Sequence, residues 1–276
     1  MERPFFSIII PTYNRRSFLA IAVDSVLRQT FPDFELIISD DGSSDETSAF
    51  CRSIKDERVR YLALPHKGVA SARNQGLFLA KGRYICFLDS DDRFLSAKLA
   101  KTRLCIKKNP DYSIFHTEEL WYRKGKILGQ KKYHQKPEGD VFPQALRLCC
   151  ISPSCACIEK KIFADIGIFD ESFPVCEDYE LWLRASARYR VKLIPEILTL
   201  KQGGHSDQIS RKYPAMDSLR IKAIQKLLKQ NDLLPEQKKA ALKELKNKCL
   251  IFIQGAEKRN NKEKADQYRN LITEMC

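Results

Sequence analysis

The chain has 276 residues, 43% hydrophobic and 30% charged, with a formal net charge of +13. It is long enough to bury a full core, its composition is that of a soluble globular protein, and its longest apolar runs are strand-sized, which excludes a bilayer-spanning helix. The excess of cations favours anionic partners, whether nucleotide diphosphates, nucleic acid or an acidic lipid surface, without choosing among them.

The N-terminal residues Met1-Glu2-Arg3-Pro4-Phe5 run straight into a strand pattern, without the zones of a signal peptide, so a cytoplasmic location is expected. The ten cysteines are then expected as thiols. Cys149, Cys150, Cys155 and Cys157 match no paired metal-ligand spacing and read as small buried hydrophobes.

In chain order, Ser7-Ile8-Ile9-Ile10 is the first strand, closed by Pro11. A helix follows from near Ser17, with Leu19, Ala22, Val23, Val26 and Leu27 on one stripe. Phe34-Glu35-Leu36-Ile37-Ile38-Ser39 is the second strand and ends on Asp40 and Asp41. The polar turn from Gly42 leads into a second helix, and Val59-Arg60-Tyr61-Leu62 is a third, weaker strand. Residues 68–80 form a third helix, for which Gly82 is the expected C-cap. This alternation of strand and helix predicts an α/β fold built from right-handed βαβ units. No GxGxxG fingerprint and no GxxxxGK[ST] loop follows the first strand, which argues against dinucleotide oxidoreductases and P-loop NTPases.

The fourth strand, Tyr84-Ile85-Cys86-Phe87-Leu88, stops on Asp89-Ser90-Asp91-Asp92. Ligands of open α/β sheets bind at the carboxyl ends of the strands. Three crowded carboxylates there require compensation by a cation or by donors. Oxygen ligands suit Mg²⁺ or Mn²⁺, which bridge a substrate diphosphate with only one or two protein carboxylates. The alternative is that Asp91 or Asp92 merely starts the next helix, although Ser96 offers a cap for the helical pattern from Ala97.

Taken together, the motifs resemble those of family 2 glycosyltransferases, inverting enzymes with the GT-A fold. The resemblance rests on Ser7-Ile8-Ile9-Ile10-Pro11-Thr12-Tyr13-Asn14-Arg15, Ile38-Ser39-Asp40-Asp41-Gly42-Ser43-Ser44-Asp45, Gly68-Val69-Ala70-Ser71-Ala72-Arg73-Asn74-Gln75-Gly76, Phe87-Leu88-Asp89-Ser90-Asp91-Asp92 and Glu177-Asp178-Tyr179-Glu180-Leu181-Trp182, in that order. It implies a mostly parallel, Rossmann-like sheet flanked by helices and a metal-dependent transfer of a sugar from a nucleotide-diphosphate sugar, UDP-sugar favoured, to a hydroxyl acceptor. That acceptor would be a saccharide or lipid-linked saccharide in bacterial-type surface polysaccharide or glycolipid assembly. By resemblance, Pro11, Thr12 and Tyr13 line the base pocket, Asp41 accepts from the base ring with Asp40 beside it, and Arg73 faces the phosphates. Asp89 and Asp91 form the DxD pair around Mn²⁺ or Mg²⁺, and Asp89 and Ser90 also contact the donor nucleotide. The residue chemistry agrees, since a carboxylate accepts an imide N–H, an aromatic ring stacks on a base and a guanidinium forks onto phosphate. Simpler readings remain: Tyr13 packs its loop, Arg73 pairs with an acid, and Asp41 closes an Asx turn into Gly42.

In the second half, Trp121 and Tyr122 are candidate sugar platforms or strand core. Asp140 caps an amphipathic helix carrying Phe142, Ala145, Leu146 and Cys149, Pro153-Ser154-Cys155-Ala156-Cys157-Ile158 reads as a strand, and Phe169-Asp170-Glu171-Ser172-Phe173 as the loop before the next helix. Asp178 opens a helix whose Leu181 and Trp182 bury the face beneath it, and is the candidate catalytic base. Its alternative is a helix-dipole role, with Glu180 pairing Arg184. After a strand at 191–200, the stretch from Gly203 to Lys212 supplies His205 as a candidate metal ligand and Arg211 as a candidate phosphate contact. Residues 1–213 are expected to form the catalytic unit, with the nucleotide half at about 1–110 and the acceptor half at about 111–213. Residues 214–276 read as a basic helical extension, either a solvated face or a peripheral contact with anionic lipid at the inner face of the membrane. A Mg²⁺-dependent phosphohydrolase and a non-catalytic sugar-nucleotide or nucleic-acid module are the competing readings. The phosphohydrolase is disfavoured because its Asp-x-Asp belongs on the first strand. Nucleic acid is not expected as a partner, because cations and acids alternate rather than form a stripe.

Overall fold

A computed structural model describes residues 3–123, 125–129, 135–204, 216–230 and 232–274. Its centre is one sheet. Strands β1 (Phe6–Thr12), β2 (Phe34–Asp40), β3 (Val59–Ala63) and β4 (Tyr84–Phe87) run parallel in the order β3-β2-β1-β4. The sheet continues through β8 (Ala156–Glu159), β6 (Ile114–Arg123), β9 (Val191–Gly203) and β5 (Arg93–Phe94), with the hairpin strand β7 (Lys126–Leu128) on β6. The join between halves, β4 with β8, is antiparallel, and β9 runs parallel to β6.

The continuous apolar runs of β1, β2 and β4 reflect burial on both faces. Ile9, Ile37, Ile85 and Phe87 point to one layer, where α3 (Val69–Leu79) contributes Ala70 and Leu77. Ile8, Ile10, Leu36, Ile38 and Cys86 point to the other, packed by Leu19, Val23 and Val26 of α1 (Arg16–Leu27) and by Leu99 and Ile106 of α4 (Lys98–Lys108). The helix α2 (Thr47–Ser53) closes the β2–β3 crossover. Pairing of Thr12 with Asp40 and of Ile9 with Phe87 fixes the register. It therefore brings Tyr13, Asp41 and Asp89 to one rim of the sheet.

Three local expectations are corrected. Gly82 does not cap α3; Ala80 does, and an added Cβ at Gly82 would lie 2.5 Å from the Ser7 nitrogen, so the glycine permits a backbone crossing. Ser96 does not cap α4, whose Leu99 N–H is met instead by Gln29 Oε1 at 3.0 Å. Residues 153–158 are not all strand: Pro153–Cys155 is a 3-10 turn, because Pro153 has no N–H for a ladder, and β8 begins at Ala156.

In the second half come α5 (Phe142–Arg147), α6 (Phe163–Ile166) and α7 (Glu177–Arg188). The expected C-terminal stripes belong to α8 (Asp217–Lys229), α9 (Pro235–Lys258) and α10 (Lys262–Glu274). Ile224 and Leu227 of α8 and Leu245, Phe252 and Ile253 of α9 share one core with Phe142, Tyr179 and Leu183. Lys226 adds contacts of 2.7 Å to both Asp170 and Glu180. Cys157 lies in the sheet core, and Cys149, Cys150 and Cys155 are also free thiols. Among the described residues no helix is long and apolar enough to cross a membrane.

Candidate active site

The carboxyl ends of β1 and β2 make the first part of the rim. Pro11 and Thr12 are buried as β1 ends, and the chain then turns through Asn14 in the left-handed region, φ 51°. The Asn14 side chain accepts from Ser44 N–H at 2.7 Å, which ties this turn to the loop after β2. Tyr13 is left 42% exposed, its ring stacked on His66 with centroids 4.1 Å apart. Asp40 accepts from Ser43 N–H (2.9 Å) and Tyr61 O–H (2.7 Å). Asp41 accepts from the Lys67 and Gly68 backbone N–H groups at 2.8 and 2.9 Å, with His66 Nδ1 2.8 Å away. The turn through Gly42 is thus held by Asp40, while Asp41 anchors residues 66–68. An ionised carboxylate offers about four lone-pair positions, so Asp41 retains capacity for one further donor.

The second part of the rim follows β4. Asp89 N–H donates to Ser154 Oγ (3.1 Å), and its Oδ1 accepts from Arg73 Nη2 at 2.7 Å. Burial acts to raise the Asp89 carboxyl, but Arg73 and Lys201 overcome it and hold the group below its ordinary range. Ser90 is buried in the turn. Asp91 meets Arg15 Nη1 at 2.9 Å, yet burial and the adjacent Asp89 charge leave its carboxyl raised. Asp92 is buried, accepts from Ser154 Oγ (2.6 Å) and Gln202 N–H (3.2 Å), and lies 3.3 Å from Lys201 Nζ. Burial and the two neighbouring aspartates raise it against the pull of Lys201.

Arg73 is 4% exposed and belongs to both halves of the molecule. Besides Asp89 it donates through Nη1 to Glu177 Oε1 at 2.5 Å, and its guanidinium lies 5.3 Å from the Phe169 ring centre. Expected to face phosphates, it has both Nη groups on carboxylates and a buried Nε without a partner. Its partner Glu177 opens α7 directly after Cys176, which takes the left-handed conformation, φ 63°. That sharp entry turns Glu177 inward and leaves Asp178 half-buried. Asp178 Oδ1 accepts from Tyr179 N–H (2.7 Å) and Oδ2 from the Cys149 thiol (3.4 Å). Glu180 does pair with Arg184, whose guanidinium also binds the Ile166 and Ile168 carbonyls, so that pair fastens the loop before α7.

Two residues not anticipated stand at the centre of this arrangement, Glu177 and Lys201. The adjacency of Glu177 to Asp178 was the available signal for the first; for the second it was a lysine inside a long strand. Trp121 donates through Nε1 to Glu119 Oε1 (2.8 Å) and carries Lys201 Nζ 5.0 Å above its ring. Tyr122 lies 6.0 Å from the Arg93 guanidinium. His205 and Arg211 lie outside the described residues.

Asp89 and Asp91 suit a hard divalent ion that takes few protein oxygens, because two adjacent carboxylates, one raised by the other, are what a cation would relieve. Among the described residues there is no cluster of three or more His, Cys, Asp or Glu that could form a cage. The two carboxylates fit an ion that takes few protein ligands.

The sequence matches the model of Glycosyl transferase family 2 over residues 7–167, and the chain belongs to that family. An uncharacterized glycosyltransferase of Rickettsia bellii is 32% identical over 225 residues, which is 77% of this chain and 31% of that protein. The chain thus spans about a third of the Rickettsia bellii relative. WfaP of Escherichia coli, named a UDP-Glc:alpha-D-GlcNAc-diphosphoundecaprenol beta-1,3-glucosyltransferase, is 34% identical over 64% of this chain and 68% of its own length. Among solved structures, S. aureus TarS 1-349 in complex with UDP-GlcNAc matches with a TM-score of 0.72 at 20% identity, covering 88% of this chain and 70% of that one. Mannosyltransferase PcManGT from Pyrobaculum calidifontis, in complex with GDP-Man and Mn2+, matches with a TM-score of 0.66 at 15% identity, covering all of this chain and 85% of its own. The fold is GT-A.

Proposed function

We propose that the chain transfers a sugar, with inversion, from a nucleotide-diphosphate sugar to a hydroxyl acceptor. The observation that carries this reading is the Arg73 bridge. One guanidinium joins Asp89, at the acid-tipped strand, to Glu177, the neighbour of Asp178, through contacts of 2.7 and 2.5 Å. A donor site and a candidate base are thereby held against each other across the two halves.

On this reading Tyr13 offers a face for the base to stack on, and Asp41 accepts its ring N–H with the oxygen capacity left over. Asp40 holds the loop that shapes this pocket. Asp89 and Asp91 hold Mn²⁺ or Mg²⁺, which when bound offsets the negative charge building on the departing diphosphate. Asp178, in the first turn of α7, takes the proton of the acceptor hydroxyl as that oxygen attacks the anomeric carbon. His205 as a further metal ligand and Arg211 as a phosphate contact belong to the same proposal. The nucleotide is a UDP-sugar, a choice supported by the donor named for WfaP and by the UDP-GlcNAc complex of TarS.

The acceptor is a saccharide or lipid-linked saccharide of surface polysaccharide assembly, and the work divides between residues 1–213 and the helices from 214. Contact of those helices with anionic lipid at the inner face of the membrane is supported by Leu250 and Ile251, exposed on α9, a helix that also exposes Lys243 and Lys246. The test is a pair of variants assayed for donor binding and turnover. Asp178→Asn should leave UDP affinity within about twofold and lower kcat by about 10²–10⁴-fold. Asp91→Ala should abolish metal-dependent turnover. Retention of turnover by both variants refutes the mechanism.

A further inference from the structure

Lys201 comes from β9, across the sheet from β4, and its ammonium stands among the carboxylates of the acidic rim. It donates to Ser152 Oγ at 2.8 Å and lies 3.3 Å from Asp92 Oδ2 and 4.0 Å from Asp89 Oδ2. An ammonium has three N–H donors. Ser152 and Asp92 occupy two, and the ammonium otherwise lies 5.0 Å over the Trp121 ring and 4.0 Å from Asp89 Oδ2, neither of them a hydrogen bond. The side chain is 13% exposed, so it is not sealed from solvent. Burial acts to discharge the lysine, but Asp92, Asp89 and Glu119 hold it firmly charged.

Carboxyl groups outnumber cations at the rim, and burial raises three of them, Asp91, Asp92 and Glu177. Five carboxylates, Asp89, Asp91, Asp92, Glu177 and Asp178, face Arg15, Arg73 and Lys201. Arg73 is spent on two carboxylates and buried, and Arg15 is engaged with Asp91. Lys201 stands 3.3 Å from Asp92 and 4.0 Å from Asp89, with one N–H beyond those that meet Ser152 and Asp92. A diphosphate brought to this rim without compensation would meet the repulsion of the aspartates, and a unit charge some 4 Å away is worth several kcal/mol at most near a protein surface.

We propose that Lys201 is a resident counter-cation of the diphosphate site, which neutralises the DxD rim and donates its remaining N–H to a phosphate oxygen of the nucleotide. This rests on the reading of the rim as a nucleotide-diphosphate site. Lys201 thus supplies part of the positive charge that a divalent ion supplies when present, and the two contributions overlap. Loss of Lys201 weakens nucleotide binding most when metal is absent, because metal then cannot cover the deficit. A lysine that only braced Asp92 would behave otherwise, lowering thermal stability and weakening binding equally in both conditions.

The experiment is calorimetric titration of the full chain with UDP, GDP and dTDP, each in EDTA and in saturating Mn²⁺, for wild type, Lys201→Met, Lys201→Gln and Lys201→Arg. Gln keeps a donor for Ser152 and removes the charge, so it serves if the Met variant does not fold; Arg keeps the charge. The expected result is a loss of tenfold or more in metal-free affinity for Met and Gln, a loss of threefold or less with Mn²⁺, and near-wild-type values for Arg. Wild type that binds a nucleotide only with Mn²⁺, or variants that weaken equally in both conditions or in neither, overturn the role of Lys201 and leave the diphosphate reading standing. Wild type that binds none of the three nucleotides in either condition overturns both.

Discussion

His116 allows a prediction whose size follows from its surroundings. It lies on β6, fully buried, with Nε2 2.8 Å from the Pro137 carbonyl oxygen. A carbonyl only accepts, so Nε2 carries the hydrogen, and Nδ1 is left buried without a partner. Protonating Nδ1 would place a second N–H where nothing accepts it, close to Lys136. Burial and Lys136 push the imidazole down to about 3 from its ordinary 6.5. The unfolded chain therefore takes up a proton below pH 6.5 that the folded chain refuses until about pH 3. Stability from this group is fully present above pH 6.5 and is lost as the pH falls toward 3, at about 1.4 kcal/mol per unit. By pH 5 the loss is about 2 kcal/mol, a large share of ordinary domain stability. His116→Gln keeps a donor for Pro137 and removes the titration. Urea unfolding of both proteins at pH 7, 6 and 5 should show the variant less stable at pH 7, with the gap closing by about 2 kcal/mol at pH 5. Parallel stability curves across that range would refute the argument.

Other changes test other parts of the structure. Glu119 is held down to about 2: burial acts to raise it, but Lys136 and Lys201, with the Cys155 and Trp121 donors, prevail. Its contribution is present above pH 4.5 and lost as the pH falls through 2. Glu119→Gln leaves buried Lys136 without its ion partner and should cost about 3–5 kcal/mol in urea unfolding at pH 7. Gly82→Ala drives a Cβ to 2.5 Å from Ser7 N and 2.6 Å from the Phe6 carbonyl carbon, both backbone, and should lower stability by about 1–3 kcal/mol or more by the same assay. Arg73→Lys replaces a fork that spans Asp89 and Glu177 with one ammonium, and should weaken UDP binding by about tenfold in calorimetry with little change in circular dichroism.

Strands β1, β2 and β4 were legible in the sequence because they are buried on both faces. Such strands appear as unbroken apolar runs, and each one here ends on the acids or turn residues that form the rim. Edge elements were not legible. β5 is two residues long and β7 three, too short for any alternation to register. Ser154 read as strand because its neighbours are apolar. Its hydroxyl, however, must serve Asp92 and Asp89 N–H together, and the 3-10 turn aims it there. The partners of Arg73 and Lys201 lie 104 and 109 residues away, at Glu177 and Asp92, in sequence separations that no local pattern encodes. Where a side chain stood on its element could be read; what it met there could not.

The two acidic parts of the rim are built differently, and the difference bears on what each can bind. Asp40 and Asp41 are satisfied mainly by backbone N–H groups of Ser43, Lys67 and Gly68. Those donors are fixed in the loops, so a ligand there must use the residual acceptor capacity of Asp41 and leave the existing bonds in place. Such a setting suits recognition of a neutral ring N–H. Asp89, Asp91 and Asp92 are instead compensated by side-chain cations, Arg73, Arg15 and Lys201. Arg15 and Lys201 can turn toward an arriving phosphate without unfolding a loop, and a metal ion can take over the charge they leave. On the proposed reading the fixed part of the rim holds the base and the exchangeable part the diphosphate. Substitutions at Asp41 should therefore change which nucleotide binds, whereas substitutions at Arg15 or Lys201 should change how strongly binding depends on metal and salt.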